Sequence, residues 1–333
     1  MAVECNSFCE VIIMAEWIHS VLAQNEAVTQ NTVISYDLPV NPLSFILLTL
    51  RFQQNKADVQ MDWDEVDALL AKVEVLYKGS AVFSANGSDI EALQCGFFGY
   101  EPWITNRLGA DDEYTFFTFL IPLTRKLYSP AEAFPRSMRG ELILQVTYQA
   151  VFAEVDNVSA QIETVELPDA SPSQYLRVTT LSVTPTAAGE MDVELPIGNL
   201  LAGVLFFGTT IPLADANTQT LTYAQMLADN VRRYFSHTNF ECWRQLAALK
   251  FKPPISHGYH MHQIDAAAYA QYMDTSVVKY RNDRCIQHLF WNFDPTEDGL
   301  YLFNTAGLSD LVARIYAGDT SALRVLPLEL VKG

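Results

Sequence analysis

Three of the six histidines lie close together, between His257 and His262. Side chains two positions apart point to the same face of a strand, so His260 and His262 would face the same way in an extended segment. Neutral imidazole is a common ligand of zinc and iron, so this spacing could support metal-assisted chemistry. The simpler interpretation is that these histidines occupy a loop. On that interpretation the sequence predicts no metal site.

Acidic residues also cluster, at positions 62–67 and 111–113. Calcium takes about six to eight oxygen ligands, but neither stretch has the spacing of a dedicated calcium loop. A helix N-terminus attracts acidic side chains through its dipole, which explains the first cluster without a metal. The sequence contains no GxSxG, HExxH, glycine-rich phosphate loop or CxxC pair. It therefore predicts no catalytic residue, no cofactor and no enzymatic activity.

The dominant organising feature is a repeat of nearly half the chain. Asp37–Leu50 begins Asp-Leu-Pro-Val and Glu194–Phe207 begins Glu-Leu-Pro-Ile, and in each an apolar run starts at the same offset. Two later strand-like segments, Leu142–Val146 and Leu311–Ile315, form a second pair in the same order. The period far exceeds the roughly 20–50 residues of a solenoid repeat, so the repeating unit is predicted to be a whole domain.

Between these pairs, each half contains a segment with helical spacing of its apolar residues. Asp62–Lys72 and Thr222–Ala228 both begin with a residue that suits an N-cap and carry an acid or amide three positions later. Each is therefore predicted to be a short helix.

Composition limits the classes of function. The chain has 39 acidic and 21 basic residues and a formal net charge of −18, which disfavours direct nucleic-acid binding because phosphate contacts need clustered Lys and Arg. The five cysteines include no CxxC pair and suit buried thiols in a reducing compartment. Glu4 stands where a secretory signal needs positive charge, and no apolar run approaches the roughly 18 residues of a membrane span.

The remaining sequence is dominated by strand-like runs separated by turn residues, roughly eight in each half, as a jelly roll requires. The predicted fold class is all-β: two tandem eight-stranded jelly-roll sandwiches with short helices in loops and an N-terminal helical arm. The predicted boundaries are 1–32 for the arm, 33–167 for the first jelly roll, 168–174 for a proline- and serine-containing linker, and 175–333 for the second jelly roll.

A family resemblance follows from these residues. The Leu-Pro strand entry at Leu38 and the hairpin pattern of Val73, Val75 and Gly79 resemble the double jelly-roll major capsid proteins of icosahedral, often membrane-containing viruses. The chain resembles in particular those of the corticoviruses and of the lipid-containing phage that infects Flavobacterium, from about Val33 onward. The resemblance implies a structural protein of the virion capsid, synthesised in the host cytoplasm and assembled as a homotrimeric, pseudo-hexagonal capsomer. The implied partners are neighbouring capsomers, vertex (penton) proteins and an internal lipid membrane.

The predicted N-terminal arm would supply an inner contact in such a shell. Over Val11–Leu22, a helix would place Met14, Trp17, Ile18 and Val21 on one side. These four residues are the predicted inner-surface or membrane-proximal contact. Interfacial helices usually carry Lys and Arg, whereas Val11–Leu22 has neither and contains the acid Glu16, so mainly protein contact is expected.

Two other functions remain open on the sequence. A bicupin-type metalloenzyme is also a duplicated two-sheet protein and would use His260 and His262. The cupin pattern has Gly six residues before its first histidine and a carboxylate four or five residues after the second, whereas this chain has Pro254 and Asp265 there, the acid only three residues on. A glycan-binding β-sandwich protein is the other alternative, although such a protein has no reason to duplicate a whole domain.

Overall fold

The computed structural model describes residues 16–55, 63–99, 102–105, 114–152, 155–210, 219–240, 242–243, 246, 285 and 287–333. Over these residues the chain forms two β-sandwiches. The elements of the first are β1 (Ile18–Ala27), β2 (Val33–Asp37), β3 (Leu43–Gln54), α1 (Trp63–Ala68), β4 (Leu70–Tyr77), β5 (Ser80–Ala85), α2 (Gly87–Leu93), a π-helical turn (Gln94–Phe98), β6 (Ile104–Thr105), β7 (Tyr114–Pro122), β8 (Leu142–Tyr148) and β9 (Val155–Glu166). The elements of the second are β10 (Gln174–Val178), β11 (Leu181–Val183), β12 (Gly189–Glu194), β13 (Leu200–Gly208), β14 (Leu221–Ala228), β15 (Val231–Asn239), β16 (His288–Asn292), β17 (Phe303–Asn304), β18 (Leu311–Ala317) and β19 (Leu323–Lys332).

The first sandwich packs a sheet of order β1-β9-β3-β7-β6 against strands in the order β2-β8-β4-β5. Burial of the side chains alternates along β3. Ile46, Leu48 and Leu50 are fully buried in the core, whereas Leu47 and Thr49 lie partly exposed on the outer face. This period of two is expected when one face of a strand covers a core.

The second sandwich repeats this arrangement. Its sheets have the orders β12-β18-β14-β15 and β16-β13-β19-β10, while the short strands β11 and β17 pair with β19 and β13. Eight strands of the second sandwich correspond, in chain order, to eight strands of the first. They are β10, β12, β13, β14, β15, β16, β18 and β19, which occupy the positions of β1, β2, β3, β4, β5, β7, β8 and β9 respectively. Eight strands in two facing four-stranded sheets form a jelly roll, so the predicted tandem pair is confirmed.

The repeated sequence motifs occupy equivalent places in the two sandwiches. Asp37 and Glu194 end β2 and β12, and Leu43 and Leu200 begin β3 and β13. The Leu-Pro motif therefore forms the same loop twice. The second predicted pair of segments coincides with the equivalent strands β8 and β18.

The prediction of a helix in both halves is wrong for the second half. Thr222–Ala228 lies in β14, which pairs with both β15 and β18, and a short isolated helix could not match that set of backbone hydrogen bonds. The first half does contain a helix. It ends at Ala68, however, and β4 begins at Leu70, so only the first part of the predicted segment is helical.

The predicted N-terminal helical arm is also wrong where the structure describes it. Ile18 to Leu22 lie in β1, which pairs antiparallel with β9, Ile18 opposite Glu166. The spacing of the apolar residues fits a helix, but pairing with a distant strand overrides that local signal. This part of the predicted arm is therefore the first strand of the first sandwich. Met14 lies outside the described residues.

Each sandwich has its own apolar core. In the second, Phe206, Trp243 and Trp291 are packed ring against ring, with Phe206 and Trp291 centroids 4.6 Å apart. The helices α1 and α2 are short connections between strands. None of the helices in the described part of the chain combines the length and apolar character needed to cross a membrane.

Candidate assembly surfaces

The two sandwiches are joined edge to edge. β10 lies parallel to β5, with Val178 opposite Phe83, and this contact continues one sheet of each sandwich into a ten-stranded sheet. The first strand of the second sandwich is thus attached to the fifth strand of the first. The junction is made from unlike edges of two similar bodies.

The sheet that contains β13 and β19 is buried on both faces. Phe206 points into the core of the second sandwich, whereas Leu205 and Leu326 belong to the core of the first. The near-continuous apolar sequence of β13 follows from this double burial. On the face toward the first sandwich, Phe97 from the π-helical turn packs edge-on against Phe290, with ring centroids 5.7 Å apart.

Asp89 on α2 is the charged centre of this interface. It is fully buried, and its carboxylate accepts hydrogen bonds from Arg324 Nη2 at 2.7 Å and Nε at 2.9 Å, while His288 Nε2 lies 3.0 Å from Oδ1. Burial alone would raise the pKa of Asp89, but the hydrogen bonds from His288 and Arg324 outweigh it and hold that pKa below its ordinary value. The Arg324 guanidinium also lies 3.6 Å from the ring centroid of Phe207. One carboxylate of the first sandwich therefore binds two strands of the second.

A second buried ionic group crosses the junction. Arg125 is only 5% exposed and its Nη2 lies 2.9 Å from Glu132 Oε2 in its own sandwich, while its Nη1 donates to Asp294 in the second. Both carboxylates are also buried. Asp294 further accepts a hydrogen bond from the backbone nitrogen of Gly299 at 3.0 Å. The shared arginine, like the apolar contacts, fixes the position of one sandwich relative to the other.

Three potential metal ligands also meet at this junction. Glu91 on α2, Cys95 in the π-helical turn and Cys285 before β16 place a carboxylate oxygen and two sulfurs within 4.8 Å of one another. Glu91 and Cys95 are buried and Cys285 is partly buried. The hydrogen bond with Cys95, and then burial, raise the pKa of the Cys285 thiol well above its ordinary value. Two sulfurs and one oxygen are a donor set that suits zinc.

The first sandwich exposes a different edge at β1. Trp17 and Val21 are each 54% exposed and Ile18 is 38% exposed. Trp17 is held by an edge-on contact with Tyr128, with ring centroids 5.4 Å apart. Among the described strands β1 pairs only with β9, so its other edge presents unpaired backbone groups. A long edge strand that carries exposed apolar side chains favours pairing with another chain.

The outer face of the second sandwich, formed by β12, β18, β14 and β15, is polar and aromatic. Tyr223 and Tyr316 stack with centroids 4.9 Å apart, and Arg314 binds Asp192 with two hydrogen bonds of 2.6 and 2.8 Å. The Asp192 side chain of this ion pair is exposed and the Arg314 side chain is partly exposed. Aromatic rings and arginine are enriched at protein interfaces.

The predicted site residues are only partly covered by the structure. Trp17, Ile18 and Val21 share the exposed β1 edge, whereas Met14 and the histidine cluster at 257–262 lie outside the described residues. Sequence reasoning missed Asp89 and its partners. The local signal was Asn86 followed by Asp89 three positions on, and the structure forms this capping box, with the Asn86 backbone nitrogen 3.4 Å from Asp89 Oδ2. A capping pattern predicts the start of a helix, but it does not predict a distant arginine partner.

No protein-family model matches this chain, and no curated protein matches it at a significant level. Solved structures do match. A chain in the atomic structure of Sulfolobus turreted icosahedral virus aligns with a TM-score of 0.66 at 13% identity, covering 95% of this chain and 91% of that chain. The major capsid protein from bacteriophage PM2 aligns with a TM-score of 0.59 at 10% identity, covering 95% and 98% of the two chains. The PBCV-1 virus capsid model aligns with a TM-score of 0.61 at 9% identity, covering 95% and 94%.

At these identities the likeness shows the fold, and it extends over nearly the whole length of both partners. The chain therefore has the double jelly-roll fold found in these virus proteins. The resemblance predicted from the Leu-Pro motif and the hairpin pattern is confirmed at the level of the fold.

Proposed function

We propose that this protein is a structural shell protein, the major capsid protein of an icosahedral virus, and that three copies form one pseudo-hexagonal capsomer. The observation that carries the proposal is the junction between its two similar sandwiches. That junction joins the first strand of the second sandwich to the fifth strand of the first, and the connection is apolar and ion-paired.

A contact of this type can be repeated between chains. The unused counterparts of the junction are β1 of the first sandwich and β15 of the second, which occupy the first and fifth positions of their own jelly rolls. If β1 of one chain meets β15 of the next, the contact between chains imitates the contact within a chain. Such heterologous contacts form a ring when the rotation closes. Three chains then place six similar sandwiches around one axis.

The exposed β1 edge supports this arrangement. Trp17, Ile18 and Val21 belong to the predicted inner-surface or membrane-proximal contact, and in the proposed capsomer they lie instead against the second sandwich of a neighbouring chain. The unpaired backbone edge of β1 is covered by the same contact. Where a membrane lies inside the shell, only the apolar end of this edge reaches it.

The wider assembly follows from the same arrangement. Capsomers contact one another and vertex proteins in the virion, and the chain is synthesised in the host cytoplasm. The net charge of −18 favours protein contacts over direct contact with the genome. The proposed role is structural rather than enzymatic, and the buried ion pairs Arg125–Asp294 and Arg324–Asp89 support it because each joins one sandwich to the other.

Multi-angle light scattering of the purified protein tests the oligomeric state. Three chains of 37.4 kDa give about 112 kDa, and we expect this trimer as the smallest stable species. A monomer that persists across the micromolar range contradicts the proposal.

A matched pair of variants tests the surface involved. Val21 on β1 is 54% exposed and Val33 on β2 is 56% exposed, but β2 lies at the far edge of the ten-stranded sheet and takes no part in the proposed contact. Val21→Lys is expected to shift the trimer to monomer without changing the melting temperature of the monomer, whereas Val33→Lys remains a trimer. Equal trimer stability in both variants would show that β1 is not the contact.

A further inference from the structure

The junction between the sandwiches contains a cluster of potential ligands that the shell role does not require. Glu91, Cys95 and Cys285 place one oxygen and two sulfurs within 4.8 Å of one another. Glu91 and Cys95 belong to the first sandwich, and Cys285 lies just before β16 of the second. The cluster thus contains groups from both sandwiches at a place where their cores meet.

The local backbone presents these groups together. Glu91 and Cys95 are four positions apart on one helical stretch, where side chains at i and i+4 are neighbours. The stretch changes from α-helix to π-helix at Gln94, and single π-helical turns are frequent at functional sites. Cys285 has a φ of 54°, a conformation that residues other than glycine rarely adopt and that is often found at ligand sites.

The chemistry of the three groups distinguishes between two kinds of cross-link. A disulfide would use only Cys95 and Cys285 and would not involve the carboxylate of Glu91. A divalent cation uses all three groups, and its charge compensates the burial of the carboxylate and of ionised thiols. Thiolate ligands select zinc over magnesium and calcium, which prefer oxygen.

We propose that Glu91, Cys95 and Cys285 form a structural zinc site that links the two jelly rolls. The fourth ligand is Asp67 or a water molecule: Asp67 is buried, and its charge acts on the Cys285 thiol. Asp67 also lines a cleft of about 410 Å³ at the junction. This site is independent of the capsomer proposal, because it concerns contacts within one chain.

The test measures bound metal in the full-length protein. The protein is purified under reducing conditions, equilibrated with Zn²⁺, passed over a desalting column and assayed by inductively coupled plasma mass spectrometry. We expect about one zinc per chain in the wild type, and loss of that zinc in Cys95→Ser and in Cys285→Ser. Cys242→Ser is the matched control, since Cys242 is exposed and is not part of the cluster; this variant keeps its zinc.

Cobalt substitution gives a readout that needs no cysteine variant. Co²⁺ bound by the two thiolates produces a sulfur-to-metal charge-transfer band in the wild type, and Glu91→Gln lowers the affinity while the band remains. This measurement decides the question even if a cysteine variant does not fold.

Four results would overturn the proposal. The first is that the wild-type protein retains no stoichiometric zinc, and the second is that cobalt binds without a thiolate band. The third is a Cys95–Cys285 disulfide in the native protein. The fourth is that zinc is lost in the His260→Ala/His262→Ala double variant but kept in both cysteine variants. The last result would instead support the bicupin-type alternative.

Discussion

Replacement of Asp89 by asparagine should weaken the junction with little change in side-chain volume. The variant removes the negative charge that Arg324 and His288 face in a fully buried position. Loss of one partner of a buried ion pair costs about 3–5 kcal/mol. Arg324 is 17% exposed and still lies over the ring of Phe207, so its unpaired charge is partly compensated. We therefore expect the free energy of unfolding, measured with urea, to fall by about 3 kcal/mol.

Asp192→Asn is the matched control. Asp192 also binds an arginine, Arg314, through two hydrogen bonds, but the Asp192 side chain is 45% exposed. Ion pairs at the surface contribute about 0–1 kcal/mol, so this variant should lose less than about 1 kcal/mol. Equal losses in the two variants would refute the assignment of Asp89 as the charged centre of the junction.

The loss of stability in Asp89→Asn is also predicted to depend on pH. The pKa of Asp89 in the folded protein lies below its ordinary value of 3.8, because Arg324 and His288 outweigh the effect of burial. A carboxyl group with a lowered folded-state pKa stabilises the protein fully above its unfolded-state pKa, and this stabilisation is lost as the pH falls through the folded-state pKa. The stability difference between wild type and Asp89→Asn should therefore shrink as the pH falls below about 5. A difference that does not change down to about pH 2 would contradict this.

Three further changes test the packing. A Cβ atom at Gly203 would lie 2.4 Å from the carbonyl oxygen of Trp291, so Gly203→Ala should cost about 3 kcal/mol in urea unfolding, and an unchanged midpoint would refute this. Arg125→Met leaves two buried carboxylates without their arginine and should cost about 3–5 kcal/mol; a loss below about 1 kcal/mol would mean that the buried group adds nothing to the junction. Deletion of residues 1–27 removes β1 and should abolish cooperative melting of the first sandwich, whereas deletion of residues 1–15 keeps every described strand and should preserve it. The same melting curve for both deletions would show that β1 is dispensable.

The parts of the fold that could be predicted are those with local signals. The Leu-Pro motif recurs because Leu38 and Leu195 enter the same loop in the two sandwiches, where proline ends one strand before the next begins. Side-chain burial along β3 has a period of two, which is typical of a strand that covers a core with one face. Three repeated segments in the same order predicted the duplication, and two of them, the Leu-Pro motif and the late strand, occupy equivalent places in the two sandwiches.

The parts that could not be predicted depend on distant partners. The apolar residues Trp17, Ile18 and Val21 fit one side of a helix, but the pairing with β9 places Ile18 and Val21 in strand β1, which Trp17 immediately precedes. Thr222–Ala228 likewise has helical spacing of its apolar residues, but it lies in β14 because it pairs with the distant strand β18. The partners of Asp89 lie 199 and 235 residues away, at His288 and Arg324, so no local pattern could reveal them.

The most direct test of the proposed function is the shape of the assembled particle. Two-dimensional class averages of the purified protein by electron cryo-microscopy are predicted to show a six-lobed outline with threefold symmetry, in which each chain contributes two adjacent lobes. Two-lobed single chains, or six-lobed rings in which each lobe belongs to a different chain, would contradict the proposal that three double jelly rolls form one pseudo-hexagonal capsomer.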